Sequence, residues 1–85
     1  MEARQGGYRV LLADDDVSVH RALAEGFHKE AHQVLSAYDG EEALDAIRKL
    51  RPDIVVLDVM MPKKDGLMVC REIRKESNVP IIMLS

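Results

Sequence analysis

Pro52-Asp53-Ile54-Val55-Val56-Leu57-Asp58-Val59-Met60-Met61-Pro62 is the stretch on which the fold turns. Its centre, Ile54 to Leu57, is a short unbroken apolar run stopped by an aspartate. A strand with one wet face would alternate apolar and polar residues. A continuous run of this length fits a strand covered on both faces, as in a parallel sheet. Pro52 closes the element before it, and a loop with Pro62 and Gly66 follows.

Working outward, Val10-Leu11-Leu12-Ala13 is a second such run, stopped by Asp14-Asp15-Asp16. Val19, Leu23 and Phe27 then recur at helical spacing with Arg21, Glu25 and Lys29 between them, the pattern of an amphipathic helix. Asp16 or Ser18 is placed to cap its start. His20 and His28 read as surface residues of this helix. A short strand is expected around Gln33 to Ala37. Asp39, three residues before Glu42, resembles a capping box and opens a helix through Ala43, Leu44, Ile47 and Leu50 that Pro52 ends. Val69, Cys70 and Ile73 mark a third helix, broken by Asn78 and Pro80, and Ile81 to Leu84 forms a fourth strand before Ser85. The order βαβαβαβ implies a parallel sheet with right-handed crossovers.

Composition sets the bounds. The chain has 85 residues, 47% hydrophobic and 32% charged, which is the balance of one small globular domain with modest stability. A formal net charge of -3 argues against a nucleic-acid footprint, which needs a basic face. One cysteine, Cys70, excludes an internal disulfide framework and fits a reducing, cytoplasmic setting. No apolar run is long enough to span a bilayer, and Met1 to Gly7 lacks the apolar centre of a signal peptide. Residues 1–8 read as a flexible N-terminal tail and 9–85 as the folded unit.

In open α/β sheets, sites form beyond the carboxyl ends of the strands. The first strand ends at Asp14-Asp15-Asp16, the third at Asp58 and the fourth at Ser85. If these strands are neighbours, the groups meet in one pocket. Crowded carboxylates repel one another, and a hard divalent cation such as magnesium, which takes oxygen ligands, relieves that repulsion. A carboxylate so placed can act as a nucleophile towards phosphorus. Taken alone, either acidic cluster is equally well explained as a solvated turn or a helix cap. Together, on strands expected to be adjacent, they point to a metal site.

Four stretches in order carry a resemblance to a known family: Leu11-Leu12-Ala13-Asp14-Asp15-Asp16, Asp39-Gly40-Glu41-Glu42-Ala43-Leu44, Pro52 to Pro62 with Asp65-Gly66, and Pro80-Ile81-Ile82-Met83-Leu84-Ser85. They resemble the receiver domain of two-component response regulators. The resemblance implies a flavodoxin-like three-layer doubly wound sheet of order 2-1-3-4. It implies Asp58 as phosphoacceptor, Asp15 as a direct magnesium ligand, Asp14 acting through a metal-bound water, the backbone carbonyl of Met60 as a further ligand, and Ser85 as a hydroxyl that meets the phosphoryl group. Asp16 falls outside the acidic pair and reads as a helix cap. The implied phosphodonor is a sensor histidine kinase or a histidine phosphotransfer protein.

The family pattern continues with a fifth strand ending in lysine and two more helices. Lys63, Lys64 and Lys75 do not match that lysine. The chain is therefore read as a truncated receiver with impaired switching, whose fourth strand is an exposed apolar edge that invites self-association or domain swapping.

Two alternatives stand beside this reading. Asp14-Asp15-Asp16-Val17-Ser18 fits the Asp-x-Asp-x-Thr/Ser motif of haloacid-dehalogenase-like phosphatases, with Asp14 as nucleophile. The other is a non-signalling scaffold or excised building block. Of the remaining residues, Cys70 lies on an apolar helical stripe and is expected to be buried and inert. Met61 is expected to pack, and Lys63 and Lys64 to be solvated. The three histidines form no ligand set.

Overall fold

The computed structural model describes residues 7–28 and 32–84, with no side-chain description for His28. Within them the order is β1 (Arg9–Ala13), α1 (Val17–His28), β2 (Gln33–Ala37), α2 (Gly40–Leu50), β3 (Ile54–Asp58), α3 (Gly66–Arg74) and β4 (Ile81–Leu84). The four strands are all parallel in the order β2-β1-β3-β4. This is the sheet order the family resemblance implies. Calls on Met1 to Gln5 and Gly6, and on Ser85, lie outside the described residues.

The apolar run of β1 does what its continuity predicts, whereas that of β3 does so only in part, with Val55 and Leu57 buried but Ile54 and Val56 half-buried. Val10, Leu11, Leu12 and Ala13 are all buried, so β1 is covered on both faces. Leu11 and Ala13, with Val55 and Leu57 of β3, form one core with Ala43, Leu44 and Ile47 of α2 and Val69 and Ile73 of α3. Strand residues alternate in direction, so Leu12 faces the other side, where α1 packs on β2. The result is three layers, with α2 and α3 on one face and α1 on the other.

Helix ends are fixed locally. Asp39 accepts the Glu42 N–H at 2.8 Å and caps α2. Glu42 reaches back one residue further than a capping box requires, accepting from the Tyr38 N–H at 2.9 Å. Leu50 is the last helical residue of α2. Arg51 follows in the left-handed region (φ 48°), where helices commonly end and where the residue before a proline is not forced into the helical well. Asp65 caps α3 through the Met68 N–H at 2.9 Å. That helix ends at Arg74, ahead of the Asn78 and Pro80 expected to break it.

Three expectations need correction. His20 is not a surface residue: it is 5% exposed. It shares the stripe of Leu23 and Phe27, three and seven residues on, and its ring turns inward because two partners wait there. Cys70 is only partly buried, packed against the edge of the core. Lys63 is exposed, as expected of a solvated loop residue, but Lys64 is half-buried. Lys63 pairs with Asp39 at 3.5 Å and Lys64 with Glu72 at 3.0 Å, tying the β3–α3 loop to both neighbouring helices.

Candidate metal centre

Parallel pairing sets the site. Ala13 is in register with Leu57 across β1 and β3, and Asp58 with Leu84 across β3 and β4. Asp14 follows the end of β1 and Asp58 ends β3, so both arrive at the same carboxyl edge of the sheet. Asp15 is the next residue of the loop. One carboxylate oxygen from each of Asp14, Asp15 and Asp58 lies within 4.8 Å of the others. Asp14 is buried, Asp58 half-buried and Asp15 exposed, so the group opens to solvent on one side.

Two of the three carboxylates, those of Asp14 and Asp58, are held by backbone N–H groups. One oxygen of Asp14 accepts the Asp16 N–H at 2.9 Å. Asp16 in turn accepts the Ser18 N–H at 2.9 Å, which settles the cap of α1 on Asp16. One oxygen of Asp58 accepts the Met60 N–H at 3.2 Å. Among the described residues, no lysine or arginine pairs with any of the three carboxylates. The nearby cations are committed elsewhere, Lys63 to Asp39 and Glu41 and Lys64 to Glu72. Three close carboxylates, all oxygen donors and without a side-chain counter-ion among the described residues, are the donor set a hard divalent cation takes.

The loop after Asp58 is clamped from two sides. The Val59 N–H donates to Leu84 O at 3.0 Å, and the Gly66 N–H donates to Val59 O at 2.8 Å. Gly40, at the start of α2, donates to Pro62 O at 3.3 Å. A Cβ at Gly40 would collide with the backbone of Lys64, and one at Gly66 with the backbone of Asp58. Both glycines therefore admit a close backbone approach that no larger residue allows.

Of the other residues singled out, Met60 stands close to Asp58, 76% exposed and with its N–H on the carboxylate. Met61 packs against the core, as expected. Ser85 lies outside the described residues; Leu84, which precedes it, is paired with Asp58. The sequence reading missed His20, which touches the backbone of Asp14.

A family model described as the response regulator receiver domain matches residues 10–85. The chain belongs to this family. It is 52% identical over 77 residues to the probable transcriptional regulator ycf27 of Porphyra purpurea and 49% identical to that of Cyanophora paradoxa, covering 91% of this chain in both cases. The chain spans 32% of the length of these curated relatives. Among solved structures, the receiver domain of Francisella response regulator 1452 superposes with a TM-score of 0.88 at 36% identity, over 93% of this chain and 66% of that one. The BeF3-activated N-terminal receiver domain of Klebsiella pneumoniae RstA gives 0.84 at 32% identity, over 88% of this chain and 64% of that one. No helix among the described residues is long and apolar enough to cross a membrane.

Proposed function

We propose that this domain accepts a phosphoryl group on Asp58 from a phosphohistidine, with Asp14, Asp15 and Asp58 holding a magnesium ion for the transfer. The observation that carries this reading is the approach of the three carboxylate oxygens to within 4.8 Å. It is supported by family membership, since receiver domains are phosphorylated by sensor histidine kinases and typically bind magnesium at an acidic pocket. Within the proposal, Asp15 is a direct ligand, Asp14 acts through a bound water, the Met60 carbonyl completes the protein's share, and the Ser85 hydroxyl meets a phosphoryl oxygen. A histidine phosphotransfer protein is an equally suitable donor, and a cytoplasmic setting accords with the lone cysteine.

The chemistry is an in-line displacement. A carboxylate oxygen of Asp58 attacks phosphorus while the P–N bond to the donor imidazole breaks. The imidazole nitrogen keeps the electron pair and takes a proton from water, and Asp58 becomes an acyl phosphate. The Met60 N–H holds one oxygen of Asp58 and leaves the other to attack. A bound magnesium ion supplies neutralisation of the charge on the transferred group. The domain thus assists its own modification without being an enzyme in the usual sense.

Incubation with phosphoramidate, which also carries a P–N bond, tests the reading by mapping the modified residue with mass spectrometry. Magnesium-dependent phosphate on Asp58 is the expected result. Phosphate on Asp14 would instead favour the phosphatase-like alternative, and no labelling with no magnesium binding would leave a non-signalling scaffold. Self-association through β4 is a second part of the proposal. β4 is an edge of the sheet among the described residues, and Ile82 and Leu84 are exposed on it. Light scattering that shows only monomer at high concentration would remove it.

A further inference from the structure

The imidazole of His20 occupies an unusual place. Asp14 has left the β1 ladder, yet its backbone is still held towards β2. Its N–H donates to Ala37 O at 3.1 Å. Its carbonyl oxygen, in a residue only 7% exposed, has the Nε2 of His20 at 2.7 Å. The other ring nitrogen, Nδ1, lies 2.8 Å from the Ser36 hydroxyl on β2. A carbonyl oxygen can only accept, so Nε2 carries the proton and donates; the Ser36 hydroxyl can serve Nδ1 in either role. The Tyr38 ring covers the imidazole at a centroid distance of 4.3 Å. His20 therefore stands in for a missing rung between β1 and β2, just where the chain turns to present its acidic pair.

We propose that His20 is a positioning residue for the cation at Asp14, Asp15 and Asp58. Three contacts fix the Asp14 backbone and the turn after it: Ala37 O on its N–H, His20 on its carbonyl, and the Asp16 N–H on its own carboxylate. The carbonyl of Asp14 belongs to the peptide that joins it to Asp15. Its orientation sets the direction in which Asp15 leaves the sheet. Without the His20 donor, this buried carbonyl loses its partner and the peptide is free to rotate towards another donor or water, carrying Asp15 away from Asp58. Removing such an outer partner of a metal site typically weakens metal binding by about 10-fold to 100-fold.

The inference rests on the magnesium reading, and its test separates the two. Magnesium affinity is measured by calorimetry on the wild-type chain and on His20→Phe, His20→Gln and Ser36→Ala. Amide hydrogen exchange is followed by NMR on the same proteins without metal. His20→Phe is expected to weaken magnesium binding about tenfold and to speed exchange at the Asp16 N–H, while the Leu12 amide in the core stays protected. His20→Gln, which can place a donor at similar reach, is expected to recover most of the affinity. Ser36→Ala keeps the ring and is expected to cause a smaller loss of affinity in the same direction, which decides the matter should His20→Phe fail to fold. Equal magnesium affinity in the wild type and all folded variants would overturn the role of His20 and leave the metal site standing. A wild-type chain that binds no magnesium would overturn the metal site and this role with it.

Discussion

Gly66 and Asp58 are packed backbone against backbone: a single added carbon on Gly66 would overlap the carbonyl of Asp58. The first residue of α3 thereby braces the last residue of β3. Gly66→Ala must push these segments apart, and because the contact is with backbone, no side-chain rotation relieves it. The expected cost is about 1 to 3 kcal/mol, measured as a lower urea midpoint. It should come with weaker magnesium binding, since the displaced residue carries one of the three carboxylates. An unchanged magnesium affinity in a folded Gly66→Ala protein would show that Asp58 is not held by this brace.

Repulsion among the acids gives a second prediction. Two unit charges no more than 4.8 Å apart interact by about 1 kcal/mol even at the dielectric constant of water. Asp58→Asn removes two such pairs, with Asp14 and with Asp15, and should therefore raise stability by about 1 to 2 kcal/mol in the presence of EDTA. Magnesium should stabilise the wild type, by mass action on the folded state, and should do much less for the variant. Urea titrations of both proteins with and without magnesium check this. A variant less stable than wild type in EDTA would count against close carboxylates.

Acid should unfold the chain partly through the start of α2. The Asp39 carboxyl is held below its ordinary 3.8, chiefly by the Glu42 N–H and then by Lys63, with desolvation opposing. The Glu72 carboxyl is held below 4.5 by its hydrogen bond to Lys64, again with desolvation opposing. A lowered folded-state value means the unfolded chain binds protons first. The stabilisation is therefore complete above the ordinary values and is lost as pH falls through and below them. Unfolding followed between neutral pH and about pH 2 should show this loss beginning near the ordinary carboxylate values. Asp39→Asn retains a capping side chain but cannot titrate, so its acid limb should be shallower than that of the wild type.

Leu57 of β3 is fully buried in the core that the sheet forms with α2 and α3. Leu57→Ala should cost about 2 to 5 kcal/mol. That is a large share of the stability of a domain this small. Thermal unfolding by circular dichroism should show either a strongly lowered midpoint or a chain unfolded at room temperature. A near-neutral effect would mean that the core collapses freely around residue 57.

The fold was legible because its signals are repetitive and local. Val10 to Ala13 and Ile54 to Leu57 are apolar without alternation, and the two-sided burial of β1 follows from that. Asp39 and Glu42 marked the start of α2, although Glu42 turned out to serve Tyr38. The acidic cluster was legible because parallel strands deliver their carboxyl ends to one edge. His20 was not, since a polar residue on an apolar stripe is readable only when its partners are known. Ser36 and the Asp14 carbonyl become neighbours of His20 only after β2 has paired with β1. The loop clamps at Gly40 and Gly66 were hidden for a related reason: what matters there is an absent carbon, and its significance depends on segments distant in sequence.

Because Asp14 and Asp58 stand one step beyond a paired rung, Ala13 opposite Leu57, their separation is inherited from the spacing of neighbouring strands. That makes the two strands intolerant of length change in a way they need not be of side-chain change. Deleting or inserting one residue in β1 or β3 would reverse the facing of everything after it. One acid would then be turned to the opposite side of the sheet, even if every apolar contact could be rebuilt.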